Sequence, residues 1–203
     1  LRINKNGDGV VVTLPQGVSE TTGLGWAKQE ISWIAAQMAA LPRRKIFKDG
    51  AVIPFEGVSH IIRHLPNTRR GVWRENGEIN VSGQLDHLAR RVQDWLKNEA
   101  KSRLIEKTLI TAIRINKRPR KITVRDTRTR WGSCAANGNI SYCWRLILAP
   151  RFVLDYVVAH EVAHLKELDH GKKFWNTVAI LDPNVAGARR WLREKGEALH
   201  FIG

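Results

Sequence analysis

Phe152, Val153, Leu154, Tyr156, Val157 and Val158 crowd one short stretch, and the chain runs from it straight into His160-Glu161-Val162-Ala163-His164. A helix so apolar around its circumference has to be buried on most faces. Its C-terminal end then carries two imidazoles and a carboxylate into the interior. Unpaired buried polar groups cost roughly several kcal/mol, so the three need partners. A metal ion supplies them. At 3.6 residues per turn, His160 and His164 stand about 40° apart on one face, close enough to share an ion. Glu161 lies beside the first ligand, where it can take a proton from a water on that ion. The plainer alternative is a helix with two exposed histidines and no metal, and the apolar run before them argues against it.

A third ligand is needed for an open, catalytic type of site. On an unbroken helix His170 would sit about 80° from His160 and beyond His164, out of reach. The helix is therefore expected to end near Leu168, with Asp169-His170-Gly171 as the turn. Imidazole is a good zinc ligand, so His170 is the first candidate. Asp169, Glu194 and Glu197 stay open as alternatives, the last two matching the distant glutamate ligand of gluzincins. Glu167 occupies the place where the metzincin pattern has glycine. It falls back on the His160 face, as a residue supporting a ligand or facing solvent.

Further short motifs surround this helix in order. They are Arg130-Trp131-Gly132-Ser133-Cys134, Gly138-Asn139-Ile140, Trp144-Arg145-Leu146, Pro150, Leu154-Asp155-Tyr156, His164-Leu165, His170 and Phe174-Trp175. Together they resemble the YgjP-like metal-dependent hydrolase family, related to the SprT-like and WLM zinc metallopeptidases. The resemblance is dense from about Pro119 to Leu199 and looser upstream, through Asp49-Gly50 and the segment from Leu85 to Leu96. It implies a zincin-type fold, zinc on His160, His164 and His170, and Glu161 as the catalytic glutamate. Two departures stand out: Cys143 precedes Trp144 where asparagine is usual, and Ala135 follows Cys134 where serine is common.

The net charge of +15 is concentrated: residues 101–145 hold 12 basic and 2 acidic side chains, contributing +10. Lys117, Arg118, Arg120, Lys121, Arg125, Arg128 and Arg130 fall in this segment, immediately before the metal helix. Clustered charge attracts polyanions and steers anionic substrates. A solubilising surface is the bland alternative. Between Lys117 and Ser141 Trp131 is the lone aromatic, so a base-stacking platform is not supported, and residues 117–130 are a candidate for non-specific polyanion binding. Cys134 and Cys143 do not make a disulfide framework and suit reduced thiols in a cytoplasmic protein. They flank Asn137-Gly138, a hairpin signal. A two-residue turn there would set Cys134 opposite Ser141, with Cys143 on the same face. No apolar run is long enough to span a membrane, and no signal-peptide pattern is visible.

Turn signals and periodicity divide the chain as follows. Val10–Leu14 reads as a strand and Thr21–Leu41 as one helix stopped by Pro42. Residues 51–55, 59–65, 71–74 and 78–81 read as short strands, with Asn76-Gly77 between the last two. Ser82 is the expected cap of a long helix reaching about Ile113. Residues 121–131 and 139–148 are the expected arms of a hairpin. Helices follow from Arg151, over 172–180, and over 185–199. His60 and His64 share i,i+4 spacing, but on a strand they lie about 13 Å apart, too far for one ion.

These readings describe an α+β protein. Residues 1–81 form an N-terminal β-rich subdomain with one helix, and 82–203 a zincin-like, minimal gluzincin-type catalytic domain. The function expected is a hydrolase with one Zn²⁺ per chain, Glu161 as general base, and a peptide or protein substrate. Arg128, Arg130, Trp131, Tyr142 and Arg145 are the candidate substrate-binding residues. Tyr142, Arg145, Asn139 and Lys172 are the available oxyanion donors. One alternative is a metal-dependent hydrolase of nucleoside triphosphates or other phosphoanhydrides, since arginines suit phosphate oxygens. Another is a non-enzymatic polyanion-binding module with a structural metal, against which an intact Glu161 argues.

Overall fold

The computed structural model describes residues 1–4 and 9–203. The chain divides into two compact units, Leu1–Arg44 and Lys45–Gly203. The boundary expected near Val81 therefore falls inside the second unit. No helix among the described residues is long and apolar enough to cross a membrane.

In the first unit, strand β1 (Arg2–Ile3) pairs antiparallel with β2 (Val10–Val11). Ser19 caps helix α1 (Glu20–Gln29), its hydroxyl accepting from the Thr22 amide at 3.2 Å. Where one helix was expected, two form: the backbone leaves helical geometry at Glu30, and α2 (Ile31–Ala40) follows. Leu41 takes an extended conformation in front of Pro42 and ends α2.

The second unit begins with a four-stranded sheet ordered β3-β4-β6-β5, comprising β3 (Val52–Phe55), β4 (Val58–His64), β5 (Val72–Glu75) and β6 (Glu78–Val81). Both of its hairpins turn through two residues of positive φ, Glu56-Gly57 and Asn76-Gly77, the geometry that matches strand twist. Ser82 does not cap the next helix. Its hydroxyl instead bonds the Gly71 backbone, and a 3-10 turn at Leu85–His87 leads into α3 (Leu88–Ile113). Leu88, Val92, Leu96, Ala100, Leu104, Thr108 and Ala112 are buried along α3. This four-residue recurrence makes one stripe that packs on both sheets and on the metal helix.

The second sheet departs from the expected hairpin. Strand β7 is only Lys121–Arg125 and pairs in parallel with β9 (Asn139–Cys143); β8 (Gly132–Cys134) pairs antiparallel on the other side of β9. Residues 126–131 leave the sheet because other groups claim them. Arg145, almost wholly buried, ion-pairs with Asp126. The Cys143 thiol donates to the Thr127 carbonyl at 3.1 Å, and the Thr127 hydroxyl to the Arg130 carbonyl at 3.0 Å. Arg128 and Arg130 are therefore loop residues and do not share a strand face. The β8–β9 turn is also longer than two residues. Gly138 has φ +80° and Ala135 bonds Asn139 across a three-residue loop, the type I turn plus bulge geometry. Register shifts by one, so Cys134 opposes Ile140 and faces away from Cys143. After β9 the chain tightens into a 3-10 turn, Trp144–Leu148, rather than continuing as a strand.

Helix α4 (Arg151–Ala163) is buried along most of its length. Its first residue is anchored to the first sheet: Glu56, at the β3–β4 turn, accepts from Arg151 at 2.6 and 2.9 Å and pairs with Arg103 of α3 at 3.1 Å. Helices α5 (Lys172–Leu181) and α6 (Val185–Trp191) follow. A π-type turn at Leu192–Gly196 and a last turn, α7 (Glu197–Leu199), complete the unit.

Candidate metal centre

Helix α4 ends at Ala163, earlier than the expected Leu168, and His164 becomes its cap. The amides of Lys166 and Glu167 both turn back to the Ala163 carbonyl, at 3.0 Å each. Asp169 then accepts from the Gly171 amide at 2.9 Å, turning the chain into α5. The result carries His170 back over the end of α4. His160 Nε2 and His170 Nε2 stand 3.2 Å apart, and ligand atoms of His160, His164 and His170 all lie within 4.8 Å of one another.

The donor set fits a borderline-soft divalent ion with nitrogen ligands. His164 Nδ1 lies 3.0 Å from the Glu167 carbonyl. A carbonyl only accepts, so Nδ1 carries the proton and Nε2 keeps its lone pair for the site. Glu167 thus serves through its backbone and Asp169 through a local turn. Among the described residues, Glu194 and Glu197 do not join the cluster. Burial, and then repulsion from His164 and His170, lower the His160 pKa to about 4; burial also lowers that of His164. Both rings are therefore neutral at pH 7, as ligation requires.

Aromatic rings wall the three imidazoles. The buried Phe174 ring lies 4.4 to 4.9 Å from each of them, and Trp175 stacks on His170 at 5.9 Å. Arg189 in turn covers Trp175 at 4.9 Å. The sequence motifs included Phe174 and Trp175 without a role. Their signal is spacing: a helix starting just after His170 places residues four and five positions on back beneath it.

Glu161 is 5% exposed. Burial raises its pKa to about 7, moderated by the positive charge of Arg130. Its position depends on the absence of a side chain across from it. A β-carbon at Gly132 would stand 2.6 and 2.7 Å from Glu161 Cγ and Cδ. Only glycine lets β8 pass this close, a constraint invisible in the sequence, where Gly132 appears only as one residue of the Arg130–Cys134 motif. Trp131, Gly132, Tyr156, Val157, His160, Glu161 and Leu192 line a cavity of about 240 Å³ beside the imidazoles. Tyr156 and Val157 are buried in the core, as the apolar run predicts, and also line this cavity; nothing in the sequence singles out Leu192 for it.

The other candidates scatter. Trp131 lines that cavity and stacks on His200 at 4.6 Å. Arg130 is exposed and within electrostatic reach of Glu161, whereas Arg128 is half-buried in the loop. Tyr142 and Arg145 are corrections. Tyr142 is 1% exposed and bonded to Thr108 at 3.0 Å, with its pKa pushed up by burial. Arg145 is equally buried, between Asp126 and the Trp144 ring. Tyr142 faces the core from β9 and Arg145 is buried in the 3-10 turn that follows, so neither presents a group to substrate. Trp144 is buried with them. Asn139 lines a separate basic cleft, and Lys172 is exposed at the start of α5. Burial, aided by Glu161, raises the Cys134 thiol to about 11, so it is neutral at pH 7; both cysteines are free. His60 Nδ1 pairs with the Val58 carbonyl and His64 Nε2 with that of Gly83, which accounts for both as structural.

No curated protein and no solved structure matches the chain. A family model does. The motifs that surround the histidine cluster fall within residues 1–195, all of which the model described as "YgjP-like, metallopeptidase domain" matches, and the chain belongs to that family.

Proposed function

We propose that this chain is a zinc-dependent peptidase, which narrows the family-level activity of a metal-dependent hydrolase. The observation that carries the reading is the convergence of three imidazoles beside one buried carboxylate near its midpoint of titration at pH 7. His160, His164 and His170 would hold the ion. Bound zinc supplies Lewis acidity, polarising a carbonyl and acidifying water.

The protein's own groups do the rest. Glu161 is buried, close to the ligands, and close to neutral pH in its affinity for protons, which suits taking a proton and handing it on to a leaving amine. A cation nearby shifts it toward the ionised, proton-accepting form. Phe174 and Trp175 keep water from the ligand side. Strand β8 ends the sheet order next to α4. An extended peptide laid along its edge would be held by backbone hydrogen bonds, without reading side chains. This arrangement supports an α+β, zincin-like reading of the fold, with α4 beside a small sheet.

The test is to load the protein with zinc and incubate it with unfolded proteins and with nucleoside triphosphates, using Glu161→Gln as control. Cleavage of polypeptide that the control lacks is expected. Release of phosphate or pyrophosphate in place of peptide cleavage would overturn the peptidase reading.

A further inference from the structure

Apart from Arg130, the cations of the +10 segment have no part in the metal chemistry just described. Its placement is specific. On one face of the second sheet, Lys121, Thr123 and Arg125 of β7 stand in register with Asn139, Ser141 and Cys143 of β9. The opposite face, with Ile122, Val124, Ile140 and Tyr142, packs on the core. The outward face is a cleft of about 510 Å³, closed on one side by Ser133 and Arg130.

Three properties of this cleft select its ligand. None of the side chains lining it is acidic, and among the described residues Lys121 and Arg125 form no ion pair. Its cations therefore repel one another until an anion arrives. Between the cations stand the hydroxyls of Ser133 and Ser141, donors of the kind that meet phosphate oxygens, while that of Thr123 donates to the Ile140 carbonyl at 3.4 Å. Finally, no aromatic side chain lines the cleft, so bases have nothing to stack on.

The positive surface also outruns the cleft. At Arg125 it meets a second cavity, of about 250 Å³, where Lys97 and Lys101 of α3 stand. The acid there, Asp126, is engaged by Arg145. Upstream, Lys117, Arg118 and Arg120 lead into β7 and form no ion pair among the described residues. Lys121, Arg125, Lys97 and Lys101 along this surface can neutralise about four phosphates of one strand. A single nucleotide would leave most of this charge unmet. We propose that the outward face of the β7-β9-β8 sheet is a docking surface for a nucleic-acid strand, held through its phosphates and indifferent to base sequence.

Fluorescence anisotropy with labelled oligothymidylate and oligoadenylate of about 20 nucleotides, titrated between about 50 and 200 mM salt, tests this. Both oligomers are expected to bind alike. The slope of log K against log salt should be about −3, for about four phosphates neutralised on a single strand. The double variant Lys121→Gln/Arg125→Gln should weaken binding about tenfold or more at the lower salt and flatten the slope by about 1.4. Lys97→Gln/Lys101→Gln should give a smaller effect of the same kind. All four side chains are charged and at the surface, and unchanged melting curves would tie the losses to charge. Binding that is absent or insensitive to salt would overturn the proposal. So would displacement of the oligomer by an equal concentration of a nucleoside triphosphate, which would mark a small-phosphate site instead.

Discussion

Glu161 and Gly132 are a pair, although 28 positions separate them in the sequence. The carboxylate occupies the space a side chain at 132 would need, so the two positions can be tested against each other. Glu161→Gln is expected to retain metal and lose turnover by at least about a hundredfold, the usual loss with a general base. Metal stoichiometry and single-turnover rates measured together would check it, and an unimpaired rate would remove Glu161 from the chemistry. Gly132→Ala should leave the three imidazoles in place and push the carboxylate aside. The expected result is full metal content with turnover reduced by about tenfold to a hundredfold, since displacement by about 1 Å is enough for such a loss. Metal loss in this variant would show that Gly132 serves the ligands and not Glu161. For the ligand set, His170→Ala should weaken zinc binding while Glu194→Ala and Glu197→Ala leave it unchanged. Competition against a chelating dye would read this directly.

Among elements, α4 is held from both ends, and only one hold was legible. The apolar run and the two histidines specified the helix itself, because side-chain period and burial are local properties. Its end at Ala163, rather than near Leu168, depends on backbone turns that many residues could make. The second sheet shows the same limit more sharply. Residues 121–131 alternate well enough to suggest one long strand, yet Arg145 and Cys143 draw residues 126 and 127 out of it. That competition is non-local, and a reading of adjacent residues does not register it. The buried guanidinium offers a test. Asp126→Ala would leave Arg145 without its partner, at an expected cost of about 2–3 kcal/mol, below the full value for a buried pair because Asp126 is itself partly exposed. The urea midpoint would report it, and a shift near zero would mean that the pair does not hold the loop.

For the whole molecule, ligands from the end of α4 and from the turn before α5 would be joined by one ion, so metal binding and folding of the second unit should be linked. Zinc at about a hundred times its dissociation constant is expected to add about 2.7 kcal/mol of stability. Melting curves with zinc and with a chelator would show it, and coincident curves would deny that the histidines form one site. Two histidines at i,i+4, the glutamate between them, the third histidine and the basic segment were all determined by the chain alone. Each is a matter of residue type and short spacing, which helical and turn geometry convert directly into position. What only the tertiary structure decided is which side chains face the centre from elsewhere. Tyr142 and Arg145 carry suitable chemistry and point into the core, while Gly132 carries none and controls the carboxylate. A one-residue difference in the β8–β9 turn sends Cys134 and Cys143 to opposite faces. Register and close approach are set by packing between distant segments, and their free energy depends on partners that no local pattern names.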